Sequence, residues 1–362
     1  MIYARNEPYI KRVPTFINRV DGVQSYDHDN LYPQRAEEIK NRSYTLRSAV
    51  EKLGEFTSGN GFIDPILKAT IFNNQGQTAD DILKLISNDH SLFDGAVFHV
   101  TYNLNYKINS ITPIEFKYAR LGIQDDEGFV NNIKFSDNWE RDFNKTPNNS
   151  INILNYPIFN PLNIEREIKE VGWANHPGQL LYLTPKDAYP LATFDPVFDN
   201  AQTQSEIGVY ELSNIQEGFV GTTVFKYPGT FKDDTEKIGV ENKINRHKGA
   251  GGSRIMVAEN PDGQANSLFD SVSLPNVDKM FEFTAKNVKN SIRENYSMPA
   301  EILGVLPEGG MFNQDQMEQS FKYFNSVTKG RRDILSRVFK KIAKHWYREL
   351  PDNFLIDPLK YE

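Results

Sequence analysis

The sequence predicts an α+β protein with a strand-rich region near its start, a small strand–helix–strand insert between two helices, and a long helix near its end. Three observations predict it. Apolar residues recur at helical spacing over 33–56 and 78–92. The period drops to two over 96–102, and extended stretches at 108–116 and 129–135 follow. Helical spacing then returns at Pro196 and dominates 277–350.

Residues 1–28 mix basic, aromatic and proline residues without a period and form an extended arm, either packed on a neighbouring copy or frayed. Pro33 in a first turn opens a helix with Ile39, Leu46, Val50 and Leu53 on one face, and Gly59 and Gly61 end it. Thr78, with Asp81 three residues on, caps the next helix. Turns at Asn103-Leu104-Asn105 and Asp125-Asp126-Glu127-Gly128 separate the strands of an antiparallel sheet. Residues 136–180 give mixed signals, and 180–184 is one more strand.

From Pro196, Val197, Ala201, Ile207, Leu212 and Ile215 lie on or near one helical face. A strand at 219–227, a polar helix at 233–245 and strands at 254–258 and 267–274 make a βαβ-like insert. The following helix carries Val277, Met280, Phe281, Val288 and Ile292, and stops at Met298-Pro299 because proline disfavours helix before it and lacks a donor. The next loop places apolar residues among Gly304, Gly309, Gly310 and Pro307, where a plain surface loop would be polar. Asn313 with Gln316 fits a capping box, and Met317, Phe321, Phe324, Leu335, Val338, Ile342 and Trp346 continue an apolar face to Leu350. That helix would run about 34 residues, roughly 51 Å at about 1.5 Å per residue. Gly330 is the expected bend.

Composition narrows the function classes. With 362 residues the chain is long enough for two or three domains, and 39% hydrophobic residues leave its cores lean enough to complete burial against neighbours. The formal charge of -7 argues against a protein that grips nucleic acid by bulk attraction; an ordinary cytosolic protein is its first explanation, and a conduit that lets DNA slide is the second. No cysteine is present, which excludes disulfides, thiolate metal sites and cysteine nucleophiles, and is compatible with a reducing cytoplasm. No apolar run approaches 18 residues, and early charge breaks any signal-peptide core, so neither membrane partner nor leader is expected.

Catalytic and metal motifs fail on inspection. His28, His90, His99, His176, His247 and His345 share no helical face or metal-type spacing. Gly249-Ala250-Gly251-Gly252-Ser253-Arg254 lacks the lysine and the following helix of a phosphate loop, which excludes an ATP-driven motor. Asp125, Asp126 and Glu127 with Lys134 could form a carboxylate cluster for a divalent ion, but their turn signature favours a hairpin. No enzyme, cofactor or metal is expected. Two basic stripes remain. Lys279, Lys286, Lys289 and Arg293 share a helix face that is either solvated or, facing a ring's lumen, a source of stacked positive circles. Arg337, Lys341, Lys344 and Arg348 form the second, read as a solvated or inter-subunit face.

The order helix, Met298-Pro299-Ala300-Glu301-Ile302-Leu303-Gly304, loop, Asn313-Gln314-Asp315-Gln316, long helix resembles the C-terminal half of tailed-bacteriophage portal proteins. Asn30-Leu31-Tyr32-Pro33, Gly59-Asn60-Gly61-Phe62 and Asp94-Gly95-Ala96-Val97 resemble the portal N-terminal region, so the likeness spans some 300 residues of motifs that are individually short. The resemblance implies a wing over 1–195, stem helices at 196–218 and 274–298, a clip at 219–273, a tunnel loop at 299–313, and a long helix with a minimal crown over 314–362. Within that loop Gly304, Val305, Leu306, Pro307, Glu308, Gly309, Gly310, Met311 and Phe312 would meet DNA; the loop's other reading is a buried connection.

It further implies a homododecameric ring in the virion, at one capsid vertex, built in the host cytoplasm. Double-stranded DNA would be packaged and ejected through its channel. Terminase large subunit, major capsid or scaffold protein, and a head-to-tail adaptor would be its partners. Two other classes stay open: a different ring-forming, capsid-associated structural protein, and a metal-dependent DNA nuclease using Asp125.

Overall fold

A computed structural model of the chain describes residues 17–18, 22–142, 152–184, 189–216, 222–228, 230–247, 255–260, 269–272, 277–304 and 314–361. The protein is α+β, as its sequence predicts. It divides into two compact units, Met1–Phe198 with Ile292–Glu362, and Asp199–Ser291.

The first unit opens with the short antiparallel pair β1 (Ile17–Asn18) and β2 (Val23–Gln24). Where the sequence predicts a single helix over 33–56 there are two, α1 (Tyr32–Arg42) and α2 (Tyr44–Ser58). Ser43 separates them: its backbone is extended, and its Oγ accepts the Leu46 amide at 3.3 Å to cap α2, a role serine performs better than helix propagation. Gly59 ends α2 at φ +54, with the Asp357 carbonyl so near that an added Cβ would lie 2.0 Å from its oxygen. After α3 (Pro65–Ala69), the predicted cap on α4 (Ala79–Phe93) is a full capping box: the Asp81 amide donates to Thr78 Oγ1, and Asp81 Oδ2 accepts the Thr78 amide at 2.9 Å.

Asp94 turns the chain in left-handed geometry into β3 (Ala96–Tyr102), which pairs antiparallel with β4 (Ile108–Ile114) and with β8 (Gln179–Leu183). A second antiparallel sheet orders β5 (Ala119–Leu121), β6 (Asn132–Phe135) and β7 (Leu154–Pro157), with α5 (Trp139–Asp142) between β6 and β7. Helix α6 (Ile164–Val171) precedes β8, inside the stretch whose sequence signals are mixed; it turns only Ile164 and Ile168 inward.

In the second unit, α7 (Phe198–Gln216, its first residue in the first unit) precedes a three-stranded sheet. Its strands are β9 (Thr222–Pro228), β10 (Ile255–Asn260) and β11 (Phe269–Val272). Helix α8 (Asp234–His247) crosses between β9 and β10, which pair in parallel, while β11 pairs antiparallel with β9. Tyr227 stacks on Phe231 at 4.2 Å and donates to Glu236 at 2.9 Å, holding α8 to β9. Helix α9 (Val277–Asn295) leads back to the first unit, and Tyr210 of α7 meets Phe281 of α9 at 4.8 Å.

The first unit packs around α10 (Gln314–Ala343), which continues through Gly330 as helix and is 30 residues long, shorter than predicted. Phe339 meets Phe62, Phe72 and Phe98 edge-on, and Phe324 and Phe321 meet Phe56 of α2. The chain after α10 closes this core: Trp346 packs on Phe72, and Phe354 on Phe62. Each such aromatic burial removes a large apolar area from water, and several converging on one helix make that helix the unit's centre.

Candidate functional site

Lys286 and Lys289 stand exposed on α9, Arg293 is half-buried one turn on, and Lys279 occupies the first turn. The helix buries Val288 and Ile292. The predicted spacing of seven, three and four residues therefore falls within one unbroken helix.

The connection from α9 to α10 is built at both shoulders. On the α9 side, Asn295 Nδ2 donates to the Thr193 carbonyl at 3.1 Å, and Tyr296 shares a 2.9 Å hydrogen bond with Thr193 Oγ1. Met298 and Ile302 are buried, and residues 300–303 form one tight turn ending at Gly304 in left-handed geometry, φ +74. On the α10 side, Gln316 Nε2 donates to Glu301 Oε1 at 2.6 Å and Ser320 Oγ approaches Oε2 at 3.4 Å. One carboxylate thus ties the two ends of the connection together. Gly304 is described; Val305, Leu306, Pro307, Glu308, Gly309, Gly310, Met311 and Phe312, and the cap at Asn313, lie outside the described residues.

Two adjacent arginines seat α10. Arg332 is buried and donates to the Phe56 carbonyl at 2.8 Å, to Thr328 Oγ1 at 2.7 Å and to the Asn325 carbonyl at 2.5 Å. Burial holds its guanidinium below the ordinary arginine range. Arg331 pairs with Asp94 and donates to the His90 carbonyl at 2.9 Å, with His90 Nδ1 3.1 Å away. Burial and the Arg331 charge push His90 down to about 4, so it stays neutral at pH 7 and accepts from Arg331. Sequence reading passed over both roles. The only signal was a pair of arginines beside Gly330 on an otherwise apolar stripe.

Asn30-Leu31-Tyr32-Pro33 has a structural cause. Asn30 sits at φ +62 and accepts from the fully buried Arg120 twice, through Oδ1 and its carbonyl, each at 2.7 Å. Arg120 also donates to the carbonyls of Lys117 and Ala119 at 2.8 Å, and its guanidinium lies 5.5 Å from the Tyr26 ring and 5.1 Å from that of Trp139. Burial pushes its pKa down to about 10. Tyr32 donates to Asp195 at 2.8 Å and accepts the Ala192 amide at 2.9 Å.

Asp125 forms a hairpin turn. Its Oδ1 accepts the amides of Glu127 and Phe129 at 3.0 and 2.8 Å, and Oδ2 accepts Asn131 Nδ2 at 2.7 Å, bonds that hold its carboxyl below the usual range. Among the described residues no group of three or more His, Asp or Glu is placed to hold a metal ion. No described helix is long and apolar enough to cross a membrane.

The sequence matches no protein-family model and no curated protein. The fold matches a chain from the neck of the native gene transfer agent particle computed with C12 symmetry, with TM-score 0.50 and 10% identity over 87% of this chain and 82% of that one. Other similar structures are the neck of the empty particle computed with C6 symmetry (TM-score 0.49, 11% identity, 85% and 77% covered) and an HK97-family phage portal protein from Corynebacterium diphtheriae (0.42, 8%, 81% and 88%). At such identities the likeness is one of fold, and the first match carries it.

Proposed function

We propose that this chain is a portal-type structural protein that assembles as a ring at one vertex of a phage head and passes double-stranded DNA through its centre. The observation that carries the proposal is the shared fold with a chain of a twelve-fold neck, over most of both chains. The portal motifs read from the sequence point the same way. A twelve-membered ring follows from that symmetry by analogy only.

In this scheme α7 and α9 are the stem helices at 196–218 and 274–298, and the βαβ insert of 219–273 is the clip where terminase and adaptor dock. Lys279, Lys286, Lys289 and Arg293 would face DNA from the stem, and 304–312, within the tunnel loop at 299–313, would meet it in the channel. The Glu301 bridge to Gln316 and Ser320 supports that reading, because it pins the two ends of the connection to each other. No catalytic role is proposed. Capsid or scaffold protein would be a further partner, with assembly in the host cytoplasm and residence in the virion.

Electron microscopy and solution mass of one purified sample test this. A ring with a central hole wide enough for duplex DNA is the expected result. A protein that stays monomeric even when co-expressed with its scaffold and capsid partners would overturn it.

A further inference from the structure

The chain's net charge is -7, yet one exposed neighbourhood is positive. It forms where the end of α10 meets the start of β4. The Ile108 amide donates to the His345 carbonyl at 2.8 Å, and the Tyr347 amide to the Ile108 carbonyl at 2.9 Å. Trp346 is buried here, and the bridge brings the backbone at Lys107, at the hairpin end, alongside the segment that follows Lys341 and Lys344. Partial burial together with the charges of Lys107, Lys344 and Lys341 holds the His345 imidazole below its ordinary range. Arg348 follows, its guanidinium 5.5 Å from the Tyr347 ring, and Tyr347 is 47% exposed.

These cations differ from six others on the same unit. Arg42, Arg47, Lys52, Lys169, Lys322 and Lys329 each pair with a carboxylate one helical turn away. Among the described residues no carboxylate lies within ion-pair distance of Lys107, Lys341, Lys344 or Arg348; the nearby Glu349 pairs with none of them. Like charges repel, and among the described residues only aromatic rings answer them, Phe159 at 5.6 Å from Lys341 and Tyr347 beside Arg348. A polyanion would offset that repulsion.

We propose that Lys107, Lys341, Lys344 and Arg348, with the exposed Tyr347 ring, form a binding surface for the phosphate backbone of duplex DNA, distinct from any contact made by α9 or by 304–312. Phosphate fits better than an acidic protein because the four cations are exposed and one of them lies against an exposed aromatic ring, which suits a regularly spaced charged backbone and needs no shaped apolar pocket. Binding would be independent of sequence and sensitive to salt.

The test is fluorescence anisotropy of a labelled duplex of arbitrary sequence titrated with the full-length protein over a range of salt. These four cations are expected to contribute about -3 to -4 to the wild-type log–log salt slope, since four phosphates are neutralised. K341Q/K344Q/R348Q should bind about tenfold or more weakly, with a slope shallower by about 3. K322Q/K329Q, which removes two paired cations from the same helix, should bind as wild type does. If the triple variant does not fold, K107Q alone should lower the slope by about 1. Absence of duplex binding at low salt overturns the proposal, as does a folded variant that binds normally. Polyglutamate competing as well as DNA would also overturn it, in favour of an acidic protein partner. Ring formation is read separately by microscopy, so failure of this surface and failure of the portal proposal give different results.

Discussion

Arg332, midway along α10, donates to the carbonyl of Phe56 at the end of α2, 276 residues away in sequence and 2.8 Å away in space. The same guanidinium satisfies Thr328 and Asn325, so it closes the seam between the two helices with hydrogen bonds where the surrounding contacts are aromatic. Arg332→Ala should cost about 3 kcal/mol, because buried acceptors lose a charged donor and a cavity remains. Arg332→Lys should recover less than half of that, since an ammonium cannot reproduce the planar fork. Urea denaturation of both variants checks this.

His90 predicts an acid sensitivity. Its folded pKa, about 4, lies below the unfolded value near 6.5, so the unfolded chain binds the proton first. Its contribution to stability is present above about pH 6.5 and is lost as pH falls toward 4, by up to about 3 kcal/mol. Physically, a protonated His90 would stand 3.1 Å from the Arg331 guanidinium. His90→Gln should show a flatter pH profile over that window, measured by thermal melts of both proteins at matched ionic strength.

Gly59→Ala should be severe. The left-handed backbone disfavours any side chain, and the new Cβ would lie 2.0 Å from the Asp357 carbonyl oxygen, which is backbone and cannot swing aside. A loss of about 2 kcal/mol or more is expected. Faster protease cleavage between Leu350 and Tyr361 should accompany it, because the hydrogen bonds that join 60–63 to 355–357 would be displaced.

Glu301→Ala removes the link between the shoulders of the 304–313 connection. The groups are partly solvated, so global stability should fall by only about 1 kcal/mol. Amide hydrogen exchange in 300–304 and 314–320 should nonetheless speed up severalfold. Unchanged exchange there would show that the carboxylate does not tie the two ends.

Much of the fold was legible because it rests on local rules. The Thr78–Asp81 cap, the period-two strand at 96–102, the parallel strand pair spanned by α8 and the helix-ending Met298-Pro299 all follow from spacing and backbone chemistry within a few residues. The misses have local causes too. Ser43 could propagate a helix or cap one, and only the packing of α1 and α2 selects the cap. Helix α6 is eight residues long and carries two inward residues, too few to stand out among prolines and asparagines.

By itself the sequence determined the α+β class, the order of the main helices and strands, the faces that α2 and α10 bury, and the absence of a thiol or phosphate-loop chemistry, since all of these depend on neighbours a few positions apart. It could not decide where the charged side chains end. The same residue type became a buried staple at Arg332 and Arg120, a paired cation at Lys322 and Lys329, and an unpaired one at Lys341 and Lys344. Those outcomes are set by which carbonyl or carboxylate arrives from a distant part of the chain, because a charge's energy depends on its surroundings in space. The tertiary structure alone brings those groups together.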